Sequence, residues 1–146
     1  MQRAEELNEN RNIVKNGDVL LASTGDGTLG KCCVYDKKFP AIADGHVTII
    51  RVDKKVIDPY YLADYLRCGF GASQINRLYS GSTGLIELTP EQVDVILIDI
   101  MLDKEGVDIQ KKKSKSIRNI EKKYQKQIEK AEKTLIGIED VWEETD

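Results

Sequence analysis

Short apolar runs separated by turn formers fill the first part of the chain, and a helical period takes over in the last part. Val19-Leu20-Leu21-Ala22 and Cys32-Cys33-Val34-Tyr35 flank a loop containing Gly25, Gly27 and Gly30, so strand, loop, strand is the simplest reading. Asp36-Lys37-Lys38 predicts a hairpin turn before Phe39–Ala43, and Asp44-Gly45 a second turn. His46–Val52 is β-branched and long enough for a buried strand. The period then changes. Asp58 is placed as a capping acid and Pro59 as a first-turn proline, with Tyr60, Leu62, Ala63, Tyr65 and Leu66 in helical order and Gly69 ending the helix. A second short helix is expected over Ala72–Tyr79, a polar loop over Ser80–Gly84, a single proline-entered turn at Thr89-Pro90-Glu91-Gln92 and a buried strand over Val93–Met101.

From about Asp108 to Trp142 the pattern is one long helix. Ile117, Ile120, Tyr124, Ile128, Ala131, Leu135, Ile138 and Trp142 recur at spacings of three and four, a coiled-coil seam with a stutter at Tyr124–Ile128. At 1.5 Å per residue such a helix runs roughly 50 Å, too long for a domain of about 100 residues to cover, so it calls for a partner helix. Gly137 weakens its last turns.

Charge sharpens this division. Residues 1–100 carry 11 Lys and Arg against 14 Asp and Glu, and residues 101–146 carry 11 against 11. Within the second part, residues 111–133 hold ten basic and three acidic side chains, whereas residues 139–146 hold five acids and no base. A basic stripe followed by an acidic end suits either a nucleic-acid backbone or the solvated face of a long helix, and charge alone leaves the partner open. Three cysteines without C-x-x-C spacing argue for a reducing compartment and against a zinc site. Neither a signal peptide nor an apolar run of membrane-spanning length is seen, which predicts a soluble, cytoplasmic protein. The single histidine, His46, has no partner motif and reads as structural.

Two motifs imitate enzymes. Gly25, four intervening residues, Gly30 and Lys31 reproduce most of the phosphate-binding G-x-x-x-x-G-K-[ST] pattern, but Cys32 stands where a hydroxyl should hold magnesium. The residues after Lys31 also read as a strand rather than as the helix whose N-terminus should face the phosphates. Asp58-Pro59-Tyr60-Tyr61 echoes the Asp/Asn-Pro-Pro-Tyr/Phe tetrapeptide of amino-methyltransferases, yet the second proline is missing and a helix start explains the residues better.

In order and spacing, the residues from about Val14 to Ile100 resemble the target recognition domain of the specificity (S) subunit of type I restriction-modification systems. The resemblance is carried by Gly17-Asp18-Val19-Leu20-Leu21-Ala22-Ser23 leading into Gly27-Thr28-Leu29-Gly30-Lys31, and by Val47-Thr48-Ile49-Ile50-Arg51. Asp58-Pro59-Tyr60-Tyr61-Leu62 with Tyr65-Leu66, Gly81-Ser82-Thr83-Gly84, and the run Val93–Ile100 before a long helix complete it. What the resemblance implies is a non-catalytic DNA reader. In that family each recognition domain reads half of a split site, while long helices space two such domains and dock methyltransferase subunits. Thr24, Lys31, Arg77, Ser82 and Thr83 become the DNA-binding candidates, and Ile117, Ile120, Tyr124, Ile128, Ala131 and Leu135 the helix-pairing seam. The N-terminal part of the family's domain and a second recognition domain are missing from the sequence, so the chain reads as a fragment of an S subunit or of a methyltransferase fused to its own recognition domain.

The expectation is therefore an α+β protein. Residues 1–102 form part of a mostly antiparallel, barrel-like recognition domain with short helices, and residues 103–146 form a long helix for coiled-coil pairing or docking. Its partners would be double-stranded DNA, an N6-adenine methyltransferase subunit or domain, and a helix that a second copy can supply; no cofactor, metal, catalytic residue or membrane is expected. Two rivals stand beside this. One is an assembly module that docks a methyltransferase through its helix without touching DNA, and the other is a nucleotide-hydrolysing enzyme that uses Lys31.

Overall fold

In a computed structural model, the described residues are 12–81, 86–100 and 103–143, with side chains described as far as residue 135. Among the described residues the fold is α+β: small antiparallel sheets, three short helices and one long C-terminal helix. The chain divides into two compact units, Met1–Lys111 and Lys112–Asp146.

In the first unit, β2 (Val19–Ala22) is the centre of a three-stranded sheet, flanked by β3 (Cys32–Val34) and β5 (Val47–Ile50). Both pairings are antiparallel: Leu20 lies opposite Cys33 on one side and Ile49 on the other. β1 (Ile13–Val14) and β4 (Ala41–Ile42) form a separate two-stranded sheet. The expected β2-loop-β3 hairpin is present, but the turn at Asp36–Lys38 does not close a second one, because β4 pairs with β1 instead of β3. The strands form two open sheets, and no closed barrel is found among the described residues.

Alternation decides which face of the central sheet is buried. Val19 and Leu21 are fully buried, while Leu20 and Ala22 on the opposite face are only half-buried. Against the buried face lies α1 (Pro59–Arg67), whose Leu62, Ala63 and Leu66 join Val19, Leu21, Ile57, Ile75, Leu88 and Ile96 in one core. Helix α1 starts where the sequence predicts, with the Asp58 side chain accepting a hydrogen bond from the Tyr61 amide and proline in the first turn. It ends at Arg67 with an extended Cys68 as its C-cap, immediately before Gly69, as the sequence suggests. Gly69 then takes φ +60° and opens α2 (Gly69–Leu78), which therefore begins three residues ahead of the expected Ala72.

Thr89 caps α3 (Pro90–Asp94) through a reciprocal capping box with Gln92, as the short turn implies. The strand expected over Val93–Met101 does not form among its described residues. Val93 and Asp94 belong to α3, Val95 is the turn residue that ends it, and residues 96–100 pair with no strand among the described residues. Their burial still alternates, with Ile96 buried, Ile98 and Ile100 half-buried and Leu97 exposed. Side chains stand in for the missing ladder. Gln74 both donates to the Leu97 carbonyl (2.8 Å) and accepts from its amide (2.9 Å), and the Tyr65 and Tyr61 hydroxyls donate to the Leu97 and Asp99 carbonyls.

The sheet edges are tied by one buried acid. Asp18 accepts from the Lys15 amide and from Arg51 Nε and Nη2, and Arg51 also donates to the Ile13 carbonyl, joining the end of β5 to β1.

The long helix α4 spans Lys104–Glu143, beginning four residues earlier than expected. Asp103 accepts from the Gly106 amide at its start. Within the first unit, its first turns bury Val107 and Gln110, and the Gln110 carboxamide accepts from the Asp58 amide at 2.8 Å. In the second unit the seam faces water: Ile120, Tyr124, Ile128 and Leu135 are each more than half exposed, Ile117 is 37% exposed, and Ala131 is exposed too. The side chains of Ile138 and Trp142 lie outside those described.

Candidate nucleic-acid interface

The glycine loop between β2 and β3 determines what this face offers. Gly25, Gly27 and Gly30 have φ of +90°, +75° and +86°, a conformation that L side chains rarely adopt. The loop is bonded to itself and to its neighbours. Thr28 and Leu29 donate to the Gly25 carbonyl, Gly30 to Ala22, Lys31 to Thr28 and Gly25 to Ile86. The Thr28 hydroxyl donates to the Thr24 and Gly25 carbonyls. Most of the loop's amides are thus occupied by carbonyls, and Lys31 leads into strand β3 rather than a helix. A phosphate cradle needs several free amides converging on one point, and this loop does not present them. Its glycines serve the turn.

The turn carries Lys31 to the mouth of an open cleft of about 470 Å³ between the loop and the two helices. Leu29, Leu66, Ala72 and Ile75 form its apolar part, with Lys31, Arg67, Asn76 and Cys32 as polar groups. Arg67 is bonded to Asp64 at 2.7 Å, which fixes its guanidinium and offsets much of its charge. Lys31 is exposed and has no ion pair among the described residues. Burial, reinforced by the adjacent Cys33, pushes the Cys32 thiol up to about 12, so the cleft gains no negative charge from it at neutral pH. No group of residues that could hold a metal is found among those described.

Thr24 lies at the other end of the loop. Its hydroxyl is 2.8 Å from His46 Nδ1, and its backbone is bridged to Glu87. Ser80 and Glu87 exchange both backbone hydrogen bonds, closing the neck of the loop that holds Ser82 and Thr83. Those two candidates lie outside the described residues, but the neck of their loop stands beside Thr24. His46 also receives the Ser23 amide and hydroxyl on its carbonyl, which gives it a structural task at the start of β5.

Arg77 is exposed on α2 but does not line the cleft. The structure thus brings Lys31 together with Arg67 and with Asn76, one of the polar side chains of base-reading type on this helix, and sets Arg77 on the neighbouring stripe. Spacing along α2 carries part of that signal, since Ala72 and Asn76 are one helical turn apart. That Lys31 faces them depends on the tertiary fold. The sequence matches no protein-family model and no curated protein.

Proposed function

We propose that this chain is a non-catalytic reader of double-stranded DNA sequence, working in a type I-like restriction-modification assembly whose adenine methylation is carried out by an N6-adenine methyltransferase subunit or domain. The observation that carries this reading is the cleft beside the glycine loop, which Lys31 and Asn76 both line, each without a side-chain partner among the described residues. An exposed cation suits phosphate, and a carboxamide suits a base edge. Arg77, Thr24 and the neck of the 80–87 loop extend the same set of polar groups over neighbouring elements. Residues 1–100 sum to −3, so affinity for DNA rests on a few placed cations rather than on a broad positive field. Under this reading the two small sheets correspond to the barrel-like recognition domain of the family that the sequence resembles.

The long helix pairs with another helix. Five large apolar side chains along one stripe meet water in the isolated chain, and a partner with a matching stripe removes them from it. The same observation favours a second reading, in which the helix docks a methyltransferase subunit and the chain never touches DNA. Fluorescence anisotropy with random-sequence duplex DNA over a salt series separates the two, using the chain alone and then mixed with an N6-adenine methyltransferase subunit. Affinity that falls steeply with salt supports the reader. Absence of DNA binding in both arms, with a stable protein complex in the second, replaces it by the assembly module.

A further inference from the structure

Helix α2 presents four polar side chains of base-reading type, Ser73, Gln74, Asn76 and Arg77, and the structure sorts them. Ser73 donates its hydroxyl to the Gly69 carbonyl at 2.9 Å. Gln74 has both ends of its carboxamide on the Leu97 backbone. These two hold the fold. Asn76 and Arg77 are exposed and make no hydrogen bond or ion pair among the described residues. Helical geometry then parts this pair. Asn76 lies one turn after Ala72 and lines the cleft with it, whereas Arg77 lies one turn after Ser73 on the adjacent stripe.

We propose that Asn76 is a specificity-determining residue, its carboxamide reading an adenine edge while Lys31, at the mouth of the same cleft, takes a neighbouring phosphate. The proposal rests on the DNA-reading function above and names the base chemistry of that site. A carboxamide carries donors and an acceptor, which match the N7 acceptor and N6 donor of adenine in the major groove; guanine offers two acceptors there and no such match. Lysine is a compact point charge suited to phosphate, and the Arg67 guanidinium, the group suited to guanine, is already bonded to Asp64. The neutral Cys32 thiol adds no charge that would repel the DNA backbone.

The test is selection from a random duplex pool by the full chain, with the methyltransferase subunit present, followed by sequencing of the bound DNA. The wild type is expected to enrich a motif that contains adenine. Asn76→Ala is expected to lose roughly 5- to 150-fold of the preference at one adenine and to leave other positions unchanged. Lys31→Ala is expected to weaken all sequences alike and to reduce the salt slope by about one. Unaltered near-UV circular dichroism of Asn76→Ala shows that the change is not misfolding. If the wild type enriches a motif and Asn76→Ala enriches the same one, the assignment to Asn76 is overturned while the reader stands. A preference lost at guanine instead overturns the choice of adenine. A wild type that shows no salt-dependent binding and no motif removes the DNA reading itself, and this inference with it.

Discussion

Substituting Gly71 by alanine pits local propensity against tertiary contact, and the two predict opposite signs. Gly71 is buried in the first turn of α2, where that helix folds back on the end of α1. In isolation, alanine in a helix is favoured over glycine by about 1 kcal/mol. Here an added Cβ would meet the Tyr65 carbonyl oxygen and stand 2.8 Å from both the carbonyl carbon and ring Cδ1. A backbone carbonyl cannot rotate out of the way, so α2 has to move from α1, although both contribute to the same core through Leu62, Leu66 and Ile75. Overfilling of this kind costs about 1–3 kcal/mol, and the upper part of that range applies because the obstacle is main chain. After the gain in propensity, a net loss of about 1–2 kcal/mol is expected for Gly71→Ala. With a urea m-value of about 2 kcal/mol/M, the midpoint falls by about 0.5–1 M. Near-UV circular dichroism suits the measurement, since five of the six tyrosines (Tyr35, Tyr60, Tyr61, Tyr65 and Tyr79) lie in the first unit. An unchanged or raised midpoint would show that the α1–α2 approach is looser than described, and the reasoning would be refuted.

Four further expectations follow from other contacts. Gln110→Ala leaves the buried Asp58 amide without its acceptor and is expected to cost about 1–3 kcal/mol in the same urea titration. Gln74→Ala removes the acceptor of the Leu97 amide, so hydrogen exchange at that amide should speed up about fivefold, with a smaller effect at core amides. Cys32 ordinarily titrates near 9.0 and is pushed up to about 12 by burial. The folded chain therefore keeps a proton that the unfolded chain releases in this window, and stability should fall as pH rises from 9.0 toward 12. In urea titrations stepped through pH, Cys32→Ala should lessen this fall and leave the part due to Tyr61, whose phenol is also pushed up from 10.0 by burial. Ile128→Asp places a charge in the middle of the exposed seam and should abolish association through α4 in sedimentation velocity while leaving the near-UV spectrum of the first unit unchanged.

How much was legible in the sequence varies by element, and the reason is the range of the interaction involved. The capped starts of α1 and α3 were readable because the chemistry is contained within four residues: Asp58 reaches the Tyr61 amide, and Thr89 exchanges bonds with Gln92. The β2–β3 hairpin and the helical course of α4 were readable because period and turn chemistry are local as well. Apart from the early starts of α2 and α4, the failures concern partners far away in sequence. The alternation over residues 95–100 is that of a strand, yet its hydrogen-bond partners are side chains of Tyr61, Tyr65 and Gln74 on two helices. The strand after Asp36–Lys38 pairs with β1 at the other end of the domain rather than with the strand just before it.

The candidate site divides along the same line. The resemblance singled out Thr24, Lys31, Arg77, Ser82 and Thr83, and the missing hydroxyl at Cys32 argued against a nucleotide loop before any fold was known. Only the tertiary structure decided that the loop's amides are occupied, that Ser73 and Gln74 are engaged in holding α2 and the 95–100 segment, and that Lys31 shares a cleft with Asn76 rather than with Arg77. Whether a polar side chain is free to meet a ligand depends on which backbone groups fold up beside it, and sequence spacing carries that information only within a helical turn or so.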